Sequence, residues 1–457
     1  EEMKNKNVLV VGMARSGIEA AKLLSERGAH VRISDIKTKD QFTDGLRELE
    51  RPGIEWRLGE KSETLLDGMD LLVISPGVPI DKPVVVKAKA MGIPVIGELE
   101  LAYRMSQGSV VAITGTNGKT TTTTLMGEIF KNMGKRTFVV GNIGYPYSAV
   151  AAETQPDDVV VAEVSSFQLE TIDTFHPTIS AILNITEDHL IRHGTMEAYI
   201  ALKARIFENQ HEDDTVVLNY DDPIVRGLEK EPLCNVIYFS RTQVPPCGAY
   251  VKDEEIVFRW DGVDKAICPA AEVYIPGPHN LENALAATAM AMAAGVPAAV
   301  IRHTLRTFKG VEHRIEFVRE IDGVRFINDS KGTNVDSTIK AVDTMKTDTV
   351  LIAGGSDKHT SFEPLCKAIV QSKIRHVVLI GDTAPQLERQ LKEAGFESIE
   401  HAGYDFQKAI DMAFRRAECG WNVLLSPACA SFDMFTDYEH RGREFKRIVG
   451  EMSKQSR

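Results

Sequence analysis

An apolar strand that runs into a glycine-containing turn and then a helical segment recurs along this chain, most clearly at 7–24 and 110–129. After residue 312, strand-length apolar runs again alternate with helical segments. With 457 residues, enough for about three cores, these observations predict an α/β fold in three domains. They are a Rossmann-like N-terminal domain over 1–97, a central P-loop mononucleotide-binding domain over 98–311 and a Rossmann-like C-terminal domain over 312–457.

In the first domain, residues 7–11 (N-V-L-V-V) read as a buried strand, and Gly12 to Gly17 open a helix through Leu24. The next strand, 30–35, carries Asp35 at its carboxyl end. This is close to a dinucleotide fingerprint, with Ala14 in place of the middle glycine. Taken alone it suggests a nicotinamide-dependent oxidoreductase, although the same turn can hold other nucleotide diphosphates. A later strand, 70–75, ends in Pro76-Gly77 at the edge where ligands of such sheets collect.

The central domain carries the strongest motif, G-T-N-G-K-T-T at 115–121, between the strand 110–113 and a helix marked by Leu125, Met126 and Ile129. Gly115 and Gly118 let the backbone bring its N–H groups against phosphate oxygens. Lys119 adds a charge for the terminal phosphates, and Thr120 offers a hydroxyl to Mg²⁺. Ile113 stands where the longer phosphate-loop pattern has its first glycine. Glu163 lies near the carboxyl end of the strand 158–164, and the strand 178–185 runs into Thr186-Glu-Asp-His189. A carboxylate beside a phosphate loop suits Mg²⁺. By themselves, Glu163 reads equally well as a salt-bridged strand end and His189 as a capping or packing histidine.

In the third domain, 349–353 runs into the turn Gly354-Gly-Ser-Asp-Lys358, and strands follow at 376–381 and 421–426. Helical segments such as 384–394 lie between them.

A net charge of −12 argues against a nucleic-acid partner. Six cysteines lie scattered with no C-x-x-C pair, which predicts reduced thiols and a cytoplasmic protein. The uncharged stretch 284–301 is long enough to span a membrane, yet it is mostly alanine and contains Thr288, Gly295 and Pro297. A buried helix ending near Gly295 is the better reading, with no stable membrane insertion. The polar start before residue 7 predicts no secretory leader.

Several stretches together resemble the Mur ligases of peptidoglycan precursor synthesis. They are 115–121, E-V-S-S-F-Q-L-E at 163–170, N-I-T-E-D-H at 184–189, the segments 193–199 and 201–207 around Lys203, and H-R at 313–314. N-D-S-K-G-T-N at 328–334 and L-S-P-A-C-A-S-F-D at 425–433 resemble those members that add D-glutamate. The D-N-P-R type motif of sister ligases adding L-lysine or diaminopimelate is not found here. A folate polyglutamate ligase shares the phosphate loop but not the 425–433 stretch.

The resemblance implies a chemistry. ATP phosphorylates the alanyl carboxylate of UDP-N-acetylmuramoyl-L-alanine, the amine of D-glutamate attacks the acyl phosphate, and phosphate leaves a tetrahedral intermediate. It implies that Gly115, Thr116, Asn117, Gly118, Lys119, Thr120 and Thr121 hold the ATP phosphates. Asn280 and Asn283 lie near adenine, and Arg314 and Asp329 reach the nucleotide from the third domain. Thr120, Glu163, His189 and Lys203 serve two Mg²⁺ ions, Lys203 as a carbamate formed with CO₂. Locally, Lys203 reads only as a solvated helical lysine. The resemblance makes Lys119, His189, Lys203 and Lys331 catalytic. It assigns Arg15, Ser16, Asp35, Ile36, Lys37, Asn142 and Ser165 to the UDP-sugar, and Thr333, Lys358, Ser431, Phe432 and Tyr438 to D-glutamate. Gly332 departs from a frequent alanine, G-G-S-D-K-H departs from G-G-x-D-R-G, and Ile36 and Lys37 vary. The expectation is a monomer whose domains close to bring Arg314 and Lys331 over ATP.

Overall fold

The computed structural model describes residues 3–39, 49–141, 145–186, 194–356 and 361–452. The chain forms two compact units, Glu1–Phe308 and Lys309–Arg457. The first unit holds two sheets. One is a five-stranded parallel sheet in the spatial order Ile54–Leu58, His30–Asp35, Asn7–Val11, Leu71–Ile74, Val95–Gly97. The chain reverses direction across the sheet at Asn7–Val11, so the turn after this strand opens into the crevice where such sheets bind ligands.

The other sheet has nine strands. Six parallel ones run from Thr137–Gly141 through Val159–Glu163, Ser109–Thr114, Ile179–Ile182, Thr215–Asn219 and Asn235–Ser240. Gly248–Lys252 continues the sheet in parallel, then Glu255–Trp260 and Val263–Pro269 fold back as an antiparallel meander. The sequence reading contains no such meander. Its turns are two residues long, Asp253-Glu254 and Asp261-Gly262, all four at positive φ, the geometry that matches strand twist in a tight hairpin.

Each face of this sheet is buried. On one face, the helices Lys119–Asn132 and Pro278–Ala293 contribute Leu125, Ile129, Leu285, Ala289 and Met290 to one cluster. Residues 284–291 are all buried, which explains a charge-free run in a globular protein. Among the described residues no helix is long and apolar enough to cross a membrane. On the other face, Leu23 from the helix Arg15–Glu26 joins Leu99, Ala102, Tyr147 and Phe175. The two sheets therefore share a core, and the expected boundary at 97/98 is a junction inside one unit. Glu98 is fully buried there and accepts the Ser148 N–H at 2.6 Å; burial pushes its carboxyl above the usual range.

The second unit is a six-stranded sheet in the order Glu316–Ile321, Val324–Asn328, Asn422–Leu425, Thr349–Gly354, Ile374–Ile380, Ile399–Gly403. The first pair is an antiparallel hairpin and the rest run parallel. Insertion of the late strand Asn422–Leu425 beside Val324–Asn328 brings the two third-domain motifs, 328–334 and 425–433, to one carboxyl edge.

Candidate active site

The strand Ser109–Thr114 ends at Gly115, and the chain turns at Gly118 into the helix Lys119–Asn132. Gly118 sits at φ 84°, and a Cβ there would lie 2.4 Å from Asn283 Oδ1, so only glycine allows this approach. The helix start has no side-chain cap. Its first N–H groups and its dipole therefore favour an anion in front of it. Lys119 Nζ donates to the carbonyls of Gly115 at 2.8 Å and Thr116 at 3.2 Å. Thr121 is buried in the first turn.

The Thr120 hydroxyl donates to Glu163 Oε2 at 3.0 Å, and Glu163 is buried at the end of its strand. These two hard oxygens at a helix N-terminus fit a cation such as Mg²⁺, which prefers oxygen and keeps several waters. His189, the third expected contributor, lies outside the described residues. Among the described residues no three His, Cys, Asp or Glu side chains gather around one point for a metal.

Lys203 corrects its local reading. The helix Met196–Ala204 packs against the sheet, and Lys203 is 1% exposed rather than solvated. Its Nζ donates to Thr114 Oγ1 at 3.1 Å and to Gly115 O at 2.9 Å, and lies 5.3 Å from the Tyr199 ring centroid. Lys119 and Lys203 thus converge on one carbonyl at the base of the loop.

Three residues absent from the expected site organise it. Asn184 Oδ1 accepts the N–H groups of Thr116 at 3.0 Å and Asn117 at 2.8 Å. Two amides assigned to phosphate from sequence are therefore engaged by a side chain. Tyr199 Oη lies 3.2 Å from Thr116 Oγ1. Thr122 Oγ1 donates to Asn283 Oδ1 at 3.1 Å, and Asn283 Nδ2 to Asn280 Oδ1 at 3.3 Å. Asn280 and Asn283 stand on the first turns of the helix Pro278–Ala293, with Asn283 against Gly118. Asn184 and Tyr199 lie inside stretches that carry the family resemblance and Thr122 directly follows the loop motif, but nothing in the sequence pairs them with the loop.

In the five-stranded sheet, Arg15 and Ser16 start a helix whose N-cap, Ala14, supplies no side-chain bond. Asp35 accepts the N–H groups of Met13 at 2.8 Å and Lys37 at 2.9 Å, fixing the glycine turn. Ile36 is exposed, and the Arg15 guanidinium lies 5.2 Å from the Tyr145 ring centroid. Ser165 caps the short helix Ser166–Leu169 in a capping box with Gln168. Asn142 lies outside the described residues.

In the second unit, His313 and Ile315 flank Arg314 at φ 65° and 45°, sparsely populated backbone for such residues. Asp329 accepts Ser426 Oγ at 2.6 Å and the Ile315 N–H at 3.1 Å. Burial pushes its carboxyl up to about 7, opposed by the Ser426 hydroxyl, the Arg314 charge and the Ile315 N–H. Lys331 donates its N–H to His313 O at 2.9 Å, and the Thr333 N–H follows to Lys331 O at 2.8 Å. Ser431 is buried, Phe432 is exposed, and Tyr438 opens the last helix with its carbonyl accepting Ser330 Oγ at 2.8 Å. Lys358 lies outside the described residues. Arg441, also unanticipated, is fully buried and donates to Ser330 Oγ, Ser330 O and Cys429 O at 2.9, 2.8 and 3.1 Å. It ties the two motif loops together; burial lowers it to about 10.

Three family descriptions match the chain in order. They are "Mur ligase MurD-like, N-terminal domain" over 6–97, "Mur ligase middle domain" over 113–291, and "Mur ligase, glutamate ligase domain" over 313–429. A UDP-N-acetylmuramoylalanine–D-glutamate ligase of Thermoanaerobacter sp. (strain X514) is 50% identical over 453 residues, 99% of each chain. One of Clostridioides difficile (strain 630) is 46% identical over 453 residues, 99% of this chain and 100% of that one. A solved UDP-N-acetylmuramate-alanine ligase from Thermotoga maritima matches with a TM-score of 0.61 at 21% identity, over 98% of this chain and 100% of that chain. A MurF from Acinetobacter baumannii matches at 0.59 and 16%, over 96% of this chain and 93% of that chain. At these identities the likeness is one of fold.

Proposed function

The chain belongs to the Mur ligase family, and from that premise we propose that it joins D-glutamate to UDP-N-acetylmuramoyl-L-alanine at the expense of ATP. One observation carries the reading beyond family membership. The phosphate loop, the Thr120–Glu163 oxygen pair and the buried Lys203 meet at one strand edge, in a chain similar end to end to ligases of that name.

A carboxylate resists attack by an amine because its leaving group is oxide. Transfer of the γ-phosphoryl group to a carboxylate oxygen, with ADP leaving, makes phosphate the leaving group. The D-glutamate nitrogen then adds to the carbonyl carbon, loses a proton, and phosphate departs to leave the amide. Such transfer asks the protein chiefly for positioning and charge neutralisation. Lys119, the N–H groups at the helix start, and the side chains of Thr120 and Glu163 do that work. Mg²⁺ bound there supplies positive charge to the phosphate oxygens. Lys203 would, as a carbamate formed from its neutral amine and CO₂ with loss of a proton, offer an oxygen rather than a cation to a second ion. His189 would complete the metal ligands. Asn280 and Asn283 serve adenine; Arg314, Asp329 and Lys331 serve the nucleotide and the transferred group. Arg15, Ser16, Asp35, Ile36, Lys37, Asn142 and Ser165 take the UDP-sugar, and Thr333, Lys358, Ser431, Phe432 and Tyr438 the incoming amino acid.

The protein acts in the cytoplasm as a monomer; its six free thiols suit a reducing compartment. The test is phosphate release by purified protein with Mg·ATP. Release that requires both the UDP-sugar acceptor and D-glutamate supports the reading; release unaffected by either overturns it.

A further inference from the structure

Between its two glycines, Gly115 at φ 153° and Gly118 at φ 84°, the phosphate loop contains only Thr116 and Asn117. Their two N–H groups point at one place and form a nest of the kind that holds anions. Here a neutral oxygen fills it: Asn184 Oδ1, at 3.0 and 2.8 Å. The other end of the same amide, Nδ2, donates to Asn117 O at 2.9 Å, which fixes the orientation of the amide, since a flip would set donor against donor. The Asn184 carbonyl also accepts the Thr116 N–H at 3.0 Å. On the side chain of Thr116, Oγ1 accepts the Thr186 N–H at 3.0 Å and lies 3.2 Å from Thr186 O.

We infer that Asn184 is a positioning residue that sets the phosphate loop in its binding shape before nucleotide arrives. The Asn184 amide satisfies the Thr116–Asn117 segment from behind and reserves the N–H groups at the start of the helix Lys119–Asn132 for phosphate. Without it, nucleotide binding must itself order the segment, and that entropy is subtracted from affinity. Asparagine alone offers an acceptor for two donors and a donor for one acceptor at this length. Aspartate keeps the acceptor, loses the donor, and faces the Asn117 carbonyl with a charge.

The inference rests on the proposed function only in taking the ligand to be a nucleoside phosphate, so the primary readout is binding of Mg·ADP to the full chain with no other substrate. Asn184→Ala should weaken Mg·ADP at least about tenfold. Its melting temperature, and its KM for the UDP-sugar acceptor and for D-glutamate, should stay near wild type. Asn184→Asp, which keeps the bonds to both N–H groups, should weaken Mg·ADP as far or further at low salt. Its deficit should shrink with added salt, as a charge effect does, while that of Asn184→Ala should not. Wild-type affinity for Mg·ADP in both variants overturns the inference, and so does an equal loss for all three substrates with a lowered melting temperature. Wild-type protein that binds Mg·ADP but makes no amide would defeat the proposed function and leave this test intact.

Discussion

Asp329→Asn should remove a pH-dependent weakness from the second unit. The Asp329 carboxyl is fully buried, and its folded value of about 7 stands against an ordinary 3.8. Three units at about 1.4 kcal/mol each amount to about 4 kcal/mol of preference for the protonated form in the folded state. Below the ordinary value both states are protonated and that preference is fully expressed. As pH rises the unfolded chain ionises first, and stability falls until the folded group ionises near 7. Above that, the wild type carries a buried carboxylate. Asparagine does not titrate, and its carbonyl can still accept from Ser426 or Ile315. The stability of the variant relative to wild type should therefore rise by about 2–4 kcal/mol from pH 4 to pH 8. Urea unfolding without ligands, read by pulsed hydrogen exchange over Val324–Asn328 and Asn422–Leu425, isolates this unit. A difference that stays flat with pH, or falls, refutes the reasoning.

Two further substitutions address the loop. Lys119→Ala should lower turnover by about 10²–10³, the scale for losing one charge contact in the transition state, in a phosphate-release assay; a near-normal rate would count against the loop as the phosphoryl-transfer site. Lys203→Ala should abolish most activity and regain part of it with added short carboxylic acids, which replace a carbamate oxygen. Full activity without rescue would show that no carbamate is needed.

The strand–turn–helix units were legible because parallel strands are buried on both faces and read as apolar runs, as in Val110 to Ile113 and Val350 to Ala353. The buried helix was legible for a similar reason: an uncharged run of alanines suits close packing. The meander and the hairpin before Asn328 are weakly signalled although Asp261-Gly262 and Asp322-Gly323 mark their turns, all at positive φ. Those strands carry charged residues on their outward positions, and that weakens the apolar signal. In the site, Gly115, Lys119, Thr120, Glu163 and Lys203 meet at one strand edge, and the residues that support them carry no local signal of that role. Asn184 and Arg441 act through backbone atoms distant in sequence, 67 residues from Asn117 and 111 from Ser330, and no local period encodes such a pairing. The burial of Lys203 is likewise a product of tertiary packing.

The central claim is that the loop beginning at Gly115 passes a phosphoryl group to the acceptor's carboxylate. The most direct measurement uses UDP-N-acetylmuramoyl-L-alanine with ¹⁸O in that carboxylate, together with ATP and D-glutamate, and weighs the released phosphate. The expected result is one ¹⁸O in each phosphate, carried over as the acyl phosphate breaks. Unlabelled phosphate alongside amide product would contradict it.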